Sequence, residues 1–401
     1  MNLAIRALPG SYRAEPVTQT GIASVEIFND MAAAEPHWRT LEHGRPLTTP
    51  YQRFDLLSLW QQHIGAASGV TPMIVVAFDA IGAPLFLWPF GSRKLAGLRV
   101  VEFLGGKHAN FNMALWRRDA AAKMGADDLR GVLDRLTGRA DLVKLINQPL
   151  TWAGATNPIA LLPQQRSANF AFSGGLIPNF EALLRARTNA AARKKMRKKT
   201  RTLASYGAVR FERASGPSEA RRVLDAFFKQ KRARMRALGV RDVFAAPGVR
   251  RFIEAATTEH HASREAPIEL YELSVDDIIV ATMGGIAGDG RFCAMFNSIA
   301  QGRYAIESPG EQLIVNLVRR CCERGLDTFD LGIGDAHYKN LFCRDIEPLF
   351  DSYFPLSTRG RLLAAAFAVS GFVKRAIKQS RPLWSLAIAT RRLRAQFSTT
   401  P

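Results

Sequence analysis

Clustered cysteines, long apolar runs and nucleotide-loop motifs are all missing from this chain of 401 residues. The four cysteines, Cys293, Cys321, Cys322 and Cys343, have the spacing of neither a zinc site nor a disulfide framework. The histidines do not cluster like ligands, so no metal is predicted. No apolar run reaches the roughly 18 residues of a membrane span, and no signal-peptide core opens the chain. We therefore expect a cytoplasmic protein from a reducing compartment.

Acidic residues are outnumbered, because 35 Asp and Glu face 55 Lys and Arg and leave a net charge of +20. Such an excess favours an anionic partner: a phosphorylated substrate, a membrane surface or a nucleic acid. The densest basic run, RKKMRKKTR at 193–201, predicts either a solvent-exposed helix face or a site that binds a phosphorylated substrate through Arg193 and Lys194. RNA binding is the weakest of the three interpretations, because no aromatic platform for bases lies nearby.

The C-terminal 50 residues, 352–401, contain nine Lys and Arg and no Asp or Glu. Apolar stretches at Leu362–Val373 and Leu383–Ala389 lie between the basic clusters. This composition fits helices on an anionic membrane surface as well as it fits terminal helices packed on the body of the protein. The region 359–401 is therefore predicted to be a basic apolar tail with a possible peripheral membrane contact.

Hydrophobic periodicity predicts a mixed α/β fold in which one order of elements occurs twice. Each half has helices, a hairpin, a third strand, a helix and a further strand. The predicted divisions are an N-terminal arm (1–20), a first half (21–166), a second half (167–358) and the tail. Within the second half, a long and very basic helical stretch is expected at Phe180–Ser205, and Asp289-Gly290 predicts a tight hairpin.

The sequence Ser308-Pro-Gly-Glu311 opens an amphipathic helix directly after a strand. Ser308 fits an N-cap, and Glu311 fits the third position of a capping box. Gly310 leaves room for a ligand to approach the backbone, and a helix N-terminus suits a pyrophosphate. The motif by itself fits an ordinary capped helix start equally well.

A second polar cluster follows the next strand, in Asp330-Leu-Gly-Ile-Gly-Asp335-Ala-His337-Tyr338-Lys339. Two glycines end the strand, and loops at strand ends commonly hold functional side chains. The same residues also fit a structural turn in which Asp335 caps and Lys339 is solvated.

These motifs together resemble those of the CelD/BcsL-type GNAT acyltransferases: SPGEQL, DLGIGD and HYK. Two further segments also fit that family, namely a basic helix followed by a strand (RKKMRKKTRTLASYGAVRF) and the hairpin ATMGGIAGDGRFCAMFNS. The resemblance covers about residues 180–355 and implies two tandem GNAT-like domains, as also seen in Fem-type peptidyltransferases. It implies that acetyl-CoA or another acyl-CoA enters between splayed central strands. The residues it places along the acyl-CoA are Met295, Phe296, Asn297 and Ser298 at the thioester, and Ser308 and Gly310 at the pyrophosphate. Glu311 is also predicted to contact the cofactor, and with Glu307 it is a weaker candidate for a base. The family's glycine-rich loop is reduced here to Gly310.

Acyl transfer needs a group that takes the acceptor's proton and a donor for the departing thiolate. Asp335 and His337 are the candidates for the base, and Tyr338 is the candidate donor. Lys339 could hold an anionic acceptor. In the first half, Lys107, His108 and Asn110 follow two glycines at a strand end and could hold the acceptor or form a structural loop.

The leading functional hypothesis is an acyl-CoA-dependent N- or O-acyltransferase, for which the resemblance implies cell-surface polysaccharide, or a precursor of it, as acceptor in a bacterium. A Fem-like transferase that takes its acyl group from a charged tRNA is the alternative within enzymes, supported by the net charge and the basic helix. A non-catalytic GNAT scaffold in a membrane-associated polysaccharide-synthesis complex is the alternative outside them.

Overall fold

The computed structural model of this chain describes residues 21–259, 265–334 and 341–380. The elements of the first half are β1 (Ser24–Phe28), α1 (Met31–His43), α2 (Phe54–Trp60), β2 (Thr71–Phe78), β3 (Pro84–Leu95), β4 (Leu98–Phe103), β5 (Leu115–Trp116), α3 (Arg118–Lys123), α4 (Ala126–Asp134), β6 (Leu142–Pro149), β7 (Thr151–Trp152), β8 (Ala155–Thr156) and β9 (Gln165–Gly175). Those that follow are α5 (Phe180–Arg187), α6 (Ala190–Ala204), β10 (Val209–Arg213), α7 (Pro217–Ala237), α8 (Pro247–Thr258), β11 (Glu269–Val275), β12 (Ile278–Gly288), β13 (Arg291–Ile299), α9 (Pro309–Glu323), β14 (Thr328–Ile333), β15 (Asp345–Pro355) and α10 (Thr358–Gln379).

The predicted duplication is present in the order of the elements. A strand, two helices, three antiparallel strands, further helix and a parallel strand occur as β1 to β6 and again as β10 to β14. All the long strands join one sheet in the order β1-β2-β3-β4-β6-β15-β9-β14-β13-β12-β11-β10. The mixed α/β fold with two similar halves is therefore confirmed.

The two halves exchange strands at the centre of the sheet. β9 ends the first half but pairs with β14 of the second, and β15 ends the second half but pairs with β6 of the first. β9 and β15 also pair with each other. The predicted boundary at 166/167 lies inside β9, because a one-sequence pattern does not reveal that a strand crosses to the other half.

The predicted basic helical stretch at Phe180–Ser205 consists of two helices. The chain forms α5 and α6, which are separated by Thr188 and Asn189. The side chain of Asn189 accepts a hydrogen bond from the amide of Ala192 at 2.8 Å and caps the second helix. A local side-chain cap of this kind competes with continued helix, which is why asparagine favours helix starts.

Two apolar clusters form most of the core. The larger contains the first-half sheet and helices together with α7 and α8, and the smaller surrounds α9 on the other side of the second-half sheet. Trp38, Trp60 and Trp88 are 0%, 6% and 1% exposed, which confirms their prediction as core residues. Burial of each such ring contributes a few kcal/mol to folding. Among the helices described, none is long and apolar enough to cross a membrane.

Candidate functional site

The central strands of the second half diverge after a short parallel contact. β13 and β14 pair only at Arg291–Thr328, Phe292–Phe329 and Cys293–Asp330, and both then continue apart. β4 and β6 do the same in the first half after Val100–Leu142 and Val101–Val143. Each half therefore has an opening between its fourth strand and the next, as the resemblance to GNAT proteins implies.

A β-bulge lies in β13 at the point where the strands diverge. The pairing with β12 passes from Gly284–Phe296 to Gly285–Ala294, so that Met295 is the extra residue. A bulge removes its residue from the ladder and redirects nearby backbone groups. The bulge therefore places main-chain polar groups beside the opening. The resemblance to GNAT proteins implies that the thioester lies at this position.

A cavity of about 400 Å³ extends from the end of β13 to the start of α9. Five of the seven residues predicted to contact acyl-CoA line it: Asn297, Ser298, Ser308, Gly310 and Glu311. Met295 and Phe296 do not. The ring of Phe296 packs instead on Phe227 under α7, at a centroid distance of 4.8 Å, and Met295 is half-buried against the same apolar cluster.

The predicted capping box at the start of α9 is wrong. Ser308 has left-handed backbone angles (φ 51°, ψ 56°), and its side chain caps no helix amide. Its hydroxyl accepts a hydrogen bond from Lys199 Nζ at 2.6 Å, and the same ammonium lies 3.6 Å from Glu311 Oε2. The Ser308 hydroxyl therefore binds Lys199 of the basic helix α6, and not an amide of its own helix as predicted.

Gly310 packs closely against the last residue of β13. A Cβ atom there would lie 2.9 Å from Ile299 Cγ2, so that the absence of a side chain lets α9 begin against the strand. Among the residues described, the Gly310 amide has no hydrogen-bond partner, since the bonds at this turn come from Glu311 and Gln312 to the Ser308 carbonyl. An unpaired amide at a helix N-terminus is a ready donor for an anion.

Two cations that the sequence interpretation missed complete the cavity wall, Lys231 and Arg234 of α7. Lys231 Nζ donates to the Asn297 carbonyl at 3.1 Å and lies 5.1 Å from the centre of the Phe244 ring. Burial lowers the pKa of Lys231, and repulsion from Arg234 acts in the same direction. The available signal was helical spacing, because both residues continue the buried face that includes Phe227.

The hydroxyl of Ser298 is used inside the wall. It donates to Gln230 Oε1 at 2.7 Å and therefore accepts from Thr282 Oγ1, also at 2.7 Å. Gln230 in turn donates to the Ile279 carbonyl. This chain of hydrogen bonds fixes α7 against β12 and β13, and it positions Lys231 at the cavity.

A buried ionic cluster lies beneath the diverging strands. Arg291 Nε donates to Asp330 Oδ2 at 3.1 Å, and its Nη1 and Nη2 bind the two oxygens of Glu347 at 2.9 and 2.8 Å. Its guanidinium also stacks over Trp152 at 4.2 Å. Burial raises the pKa of Asp330 to about 6, although Arg291 opposes the rise. Since Asp330 is fully buried, we interpret the cluster as a clamp on β13, β14 and β15.

Asn110 connects the first half to this region. Its Nδ2 donates to the Ala294 carbonyl at 3.1 Å and to the Tyr51 hydroxyl at 2.9 Å. Ala294 precedes the bulge, and a Cβ on Gly332 would collide with the Asn110 amide. The loop that contains Lys107, His108 and Asn110 therefore reaches the second half, with Asn110 contacting β13 directly.

The first-half opening holds a larger cavity of about 580 Å³, and Lys107 and His108 line it. Arg93 and Lys144 at its wall both pair with Glu102, at 2.7 and 2.5 Å. Asn112 is 1% exposed, and within the described chain its Oδ1 has no hydrogen-bond partner. The cavity thus combines apolar walls with a cation, Lys107, for which the structure shows no ion pair among the residues it describes.

His108 is held as a neutral donor. Its Nδ1 accepts from Trp60 Nε1 at 3.0 Å, so that the proton of the neutral ring is on Nε2. Burial lowers the pKa of His108 to about 4, and repulsion from Lys107 adds to the effect. His108 can therefore donate a hydrogen bond to a ligand at neutral pH, but it is not a base there.

Protonation of His108 should destabilise the fold as the pH falls. The folded pKa of about 4 is below the ordinary value of 6.5, so its contribution is complete above pH 6.5 and is lost as the pH falls toward 4. Between pH 7 and pH 5 the free energy of unfolding should fall about 1–2 kcal/mol more in the wild type than in His108→Asn. Urea unfolding at both pH values measures this. The same loss of stability in the two proteins between pH 7 and pH 5 would refute the lowered pKa of His108. Between pH 7 and pH 8 the free energy of unfolding should change equally in both.

The predicted catalytic group lies outside the described residues. Asp335, His337 and Tyr338, with the predicted anion-binding Lys339, all fall within 335–340. Their roles stay predictions. In α6, Lys194 is exposed, whereas Arg193 donates to the Thr188 hydroxyl and carbonyl at the start of the helix.

Comparison with known proteins finds a family match within the second half. Residues 190–340 match the acetyltransferase (GNAT) domain family. This range includes α6, the cavity at α9 and the strand β14. No curated protein matches the chain.

Several solved structures have a similar fold. FemX is 10% identical with a TM-score of 0.52, covering 79% of this chain and 95% of its own. A conserved protein of unknown function from Bacteroides thetaiotaomicron is 11% identical with a TM-score of 0.52, covering 82% and 99%. The C-terminal domain of a protein described as a lysylphosphatidylglycerol synthetase from Agrobacterium fabrum is 11% identical with a TM-score of 0.50, covering 85% and 96%. At these identities the likeness shows the fold alone. The family match bears out the prediction of a transferase for the second half, and the solved structures bear out the mixed α/β fold over most of the chain.

Proposed function

We propose that this protein is an acyl-CoA-dependent N- or O-acyltransferase. The match of residues 190–340 to the GNAT acetyltransferase domain supports this proposal. Its acyl-CoA would bind in the second-half opening, with the phosphates at the start of α9. The observation that carries the proposal is the convergence of an unpaired helix amide, Lys231 and Arg234 on one cavity beside diverging strands. Phosphates bind where amides and cations are directed at one place.

The bulge at Met295 supports the position of the thioester. A pantetheine arm that runs from the cavity along β13 meets the bulge where the strands separate. There the acceptor nitrogen or oxygen would attack the thioester carbonyl carbon. The carbon–sulfur bond then breaks, and the acceptor's proton passes to a base or to the departing thiolate. Holding the two reactants together can itself provide much of the rate, and His337 or Asp335 stays the predicted base.

The first-half cavity is the proposed acceptor site. It opens between β4 and β6, it contains Lys107 and the neutral donor His108, and Asn110 of the same loop touches Ala294. These groups fit an acceptor with an anionic or phosphorylated part and an apolar part. A polysaccharide precursor has that chemistry, and this finer proposal rests on the resemblance to CelD/BcsL-type proteins.

One observation favours the second candidate, a transferase that takes its acyl group from charged tRNA. The basic helix α6 touches the cavity through Lys199, so that a cationic surface continues from the site. A nucleic acid could follow that surface, with a steep dependence on salt.

Calorimetric titration separates the candidates. Acetyl-CoA should bind, and at a concentration of a hundred times its Kd it should raise the free energy of unfolding by about 2.7 kcal/mol. Binding of charged tRNA without binding of acetyl-CoA would select the second candidate. Binding of neither would leave the non-catalytic scaffold and would contradict the proposal.

Replacing Gly310 with valine should weaken acetyl-CoA binding about tenfold or more, because the new side chain covers the amide that would bind phosphate. The added Cβ also meets Ile299, so the variant should be measured together with Gly310→Val/Ile299→Ala, which removes that contact. Gly216→Ala, at the start of α7 with open space around it, is the matched control. Wild-type affinity in a folded Gly310→Val protein would rule out this phosphate position.

A further inference from the structure

The helix α10 presents a row of large apolar side chains to solvent. Leu362, Val369, Phe372 and Val373 are 75%, 62%, 60% and 46% exposed. Their spacing places them on one helix face, the exposed alanines 365 and 366 lie between Leu362 and Val369, and the exposed alanine 376 continues the face. Large apolar residues in a continuous exposed row, unlike isolated ones, indicate an interaction surface.

The opposite face of α10 is fixed on the sheet. Ala364 packs with Val100 and Leu142, and the ring of Phe367 stacks on Tyr353 at a centroid distance of 6.1 Å. Near the C-terminal end of the helix, Arg375 donates to the Arg166 carbonyl at 2.8 Å. The helix therefore cannot rotate to bury the apolar row without losing these contacts.

The charged residues of α10 and of the chain after it are all positive. Residues 352–401 contain nine Lys and Arg and no Asp or Glu. On α10 itself, the exposed cations Arg359, Arg361 and Lys374 border the apolar positions. A helix with an apolar face and a basic border is the pattern of proteins that lie in the headgroup region of an anionic membrane.

We infer that α10 docks this protein onto the surface of a bilayer that contains anionic phospholipids. The helix spans 22 residues, about 33 Å at the usual rise, and would lie along the surface. Its apolar row enters the headgroup boundary, while each cation near the surface adds about 1 kcal/mol of attraction. A second copy of the chain is the weaker occupant, because a twofold contact would bring the same unbalanced cations together.

Vesicle sedimentation tests this inference with the full chain. The wild type should sediment with vesicles of phosphatidylcholine and phosphatidylglycerol, but not with phosphatidylcholine alone, and added salt should release it. The double variant Val369→Asp/Phe372→Asp should bind the anionic vesicles at least about tenfold more weakly than the wild type does. Ile81→Asp is the matched control, since Ile81 is 89% exposed at a first-half turn and should behave as the wild type.

Three results would overturn the inference. The first is wild-type protein that ignores anionic vesicles, and the second is a double variant that binds them normally. The third, from light scattering without lipid, is a wild-type dimer that becomes a monomer in the double variant, which would show that a second copy covers the row. If the double variant loses its circular dichroism spectrum, Arg361→Glu/Lys374→Glu replaces it, with the same weaker binding expected.

Discussion

Replacing Arg291 with leucine should lower the free energy of unfolding by about 3–5 kcal/mol, because the fully buried Asp330 and the partly buried Glu347 would lose their cation. The guanidinium is 11% exposed and binds both Asp330, which is fully buried, and Glu347. Urea unfolding measures the loss. The control is Arg320→Leu, whose partner Glu323 lies 3.5 Å away on the surface and whose loss should cost less than about 1 kcal/mol.

The pH dependence of this variant gives a second test of the same cluster. Arg291 holds the pKa of Asp330 down, and without it the raised pKa of about 6 should rise further. The folded variant then binds more protons than the unfolded chain across the window above pH 4, so that its stability increases as the pH falls. The deficit relative to the wild type should therefore be smaller at pH 5 than at pH 7.5. A constant small deficit at both values would mean that the cluster does not clamp the strands.

Reversing the charge of Arg234 should weaken acetyl-CoA binding by about ten- to a hundredfold, the effect of losing one charge-assisted phosphate contact. Arg234 lines the cavity and is exposed, so Arg234→Glu should fold normally. Calorimetry gives the affinity. Lys231→Gln should act in the same direction, with a stability check because Lys231 also holds the Asn297 carbonyl.

Arg232→Glu is the matched control for that prediction. It makes the same change two residues earlier on α7, at an exposed position that is not part of the cavity wall. We expect nearly wild-type affinity. If Arg232→Glu lowers binding as much as Arg234→Glu, the effect comes from the overall charge of +20 and not from a contact in the cavity.

Much of the fold could be predicted from the sequence, because local periodicity identifies strands and amphipathic helices. The two similar halves and the helix after Ser308 follow from such patterns. β9 could not be placed, since its partners, β14 and β15, are far away in sequence. The break at Asn189 was hidden inside a run of strong helix formers, where composition outweighs a single cap.

The site was predictable where it follows one motif and not where it combines distant segments. Gly310, Asn297 and Ser298 lie on the strand and helix that the motif joins, and they line one cavity. Lys199 and Arg234 come from two other helices, and their approach depends on tertiary packing. The same is true of Asn110, whose partner Ala294 is 184 residues away.

Hydrogen–deuterium exchange with and without acetyl-CoA tests whether acyl-CoA binds in the second-half opening. Protection should appear in the end of β13 and the start of α9, about residues 295–313, and around Lys231 and Arg234 in α7. The first-half cavity wall at Glu102–His108 should exchange as in the free protein. Protection confined to the first half, or none at a saturating concentration of acetyl-CoA, would contradict the account.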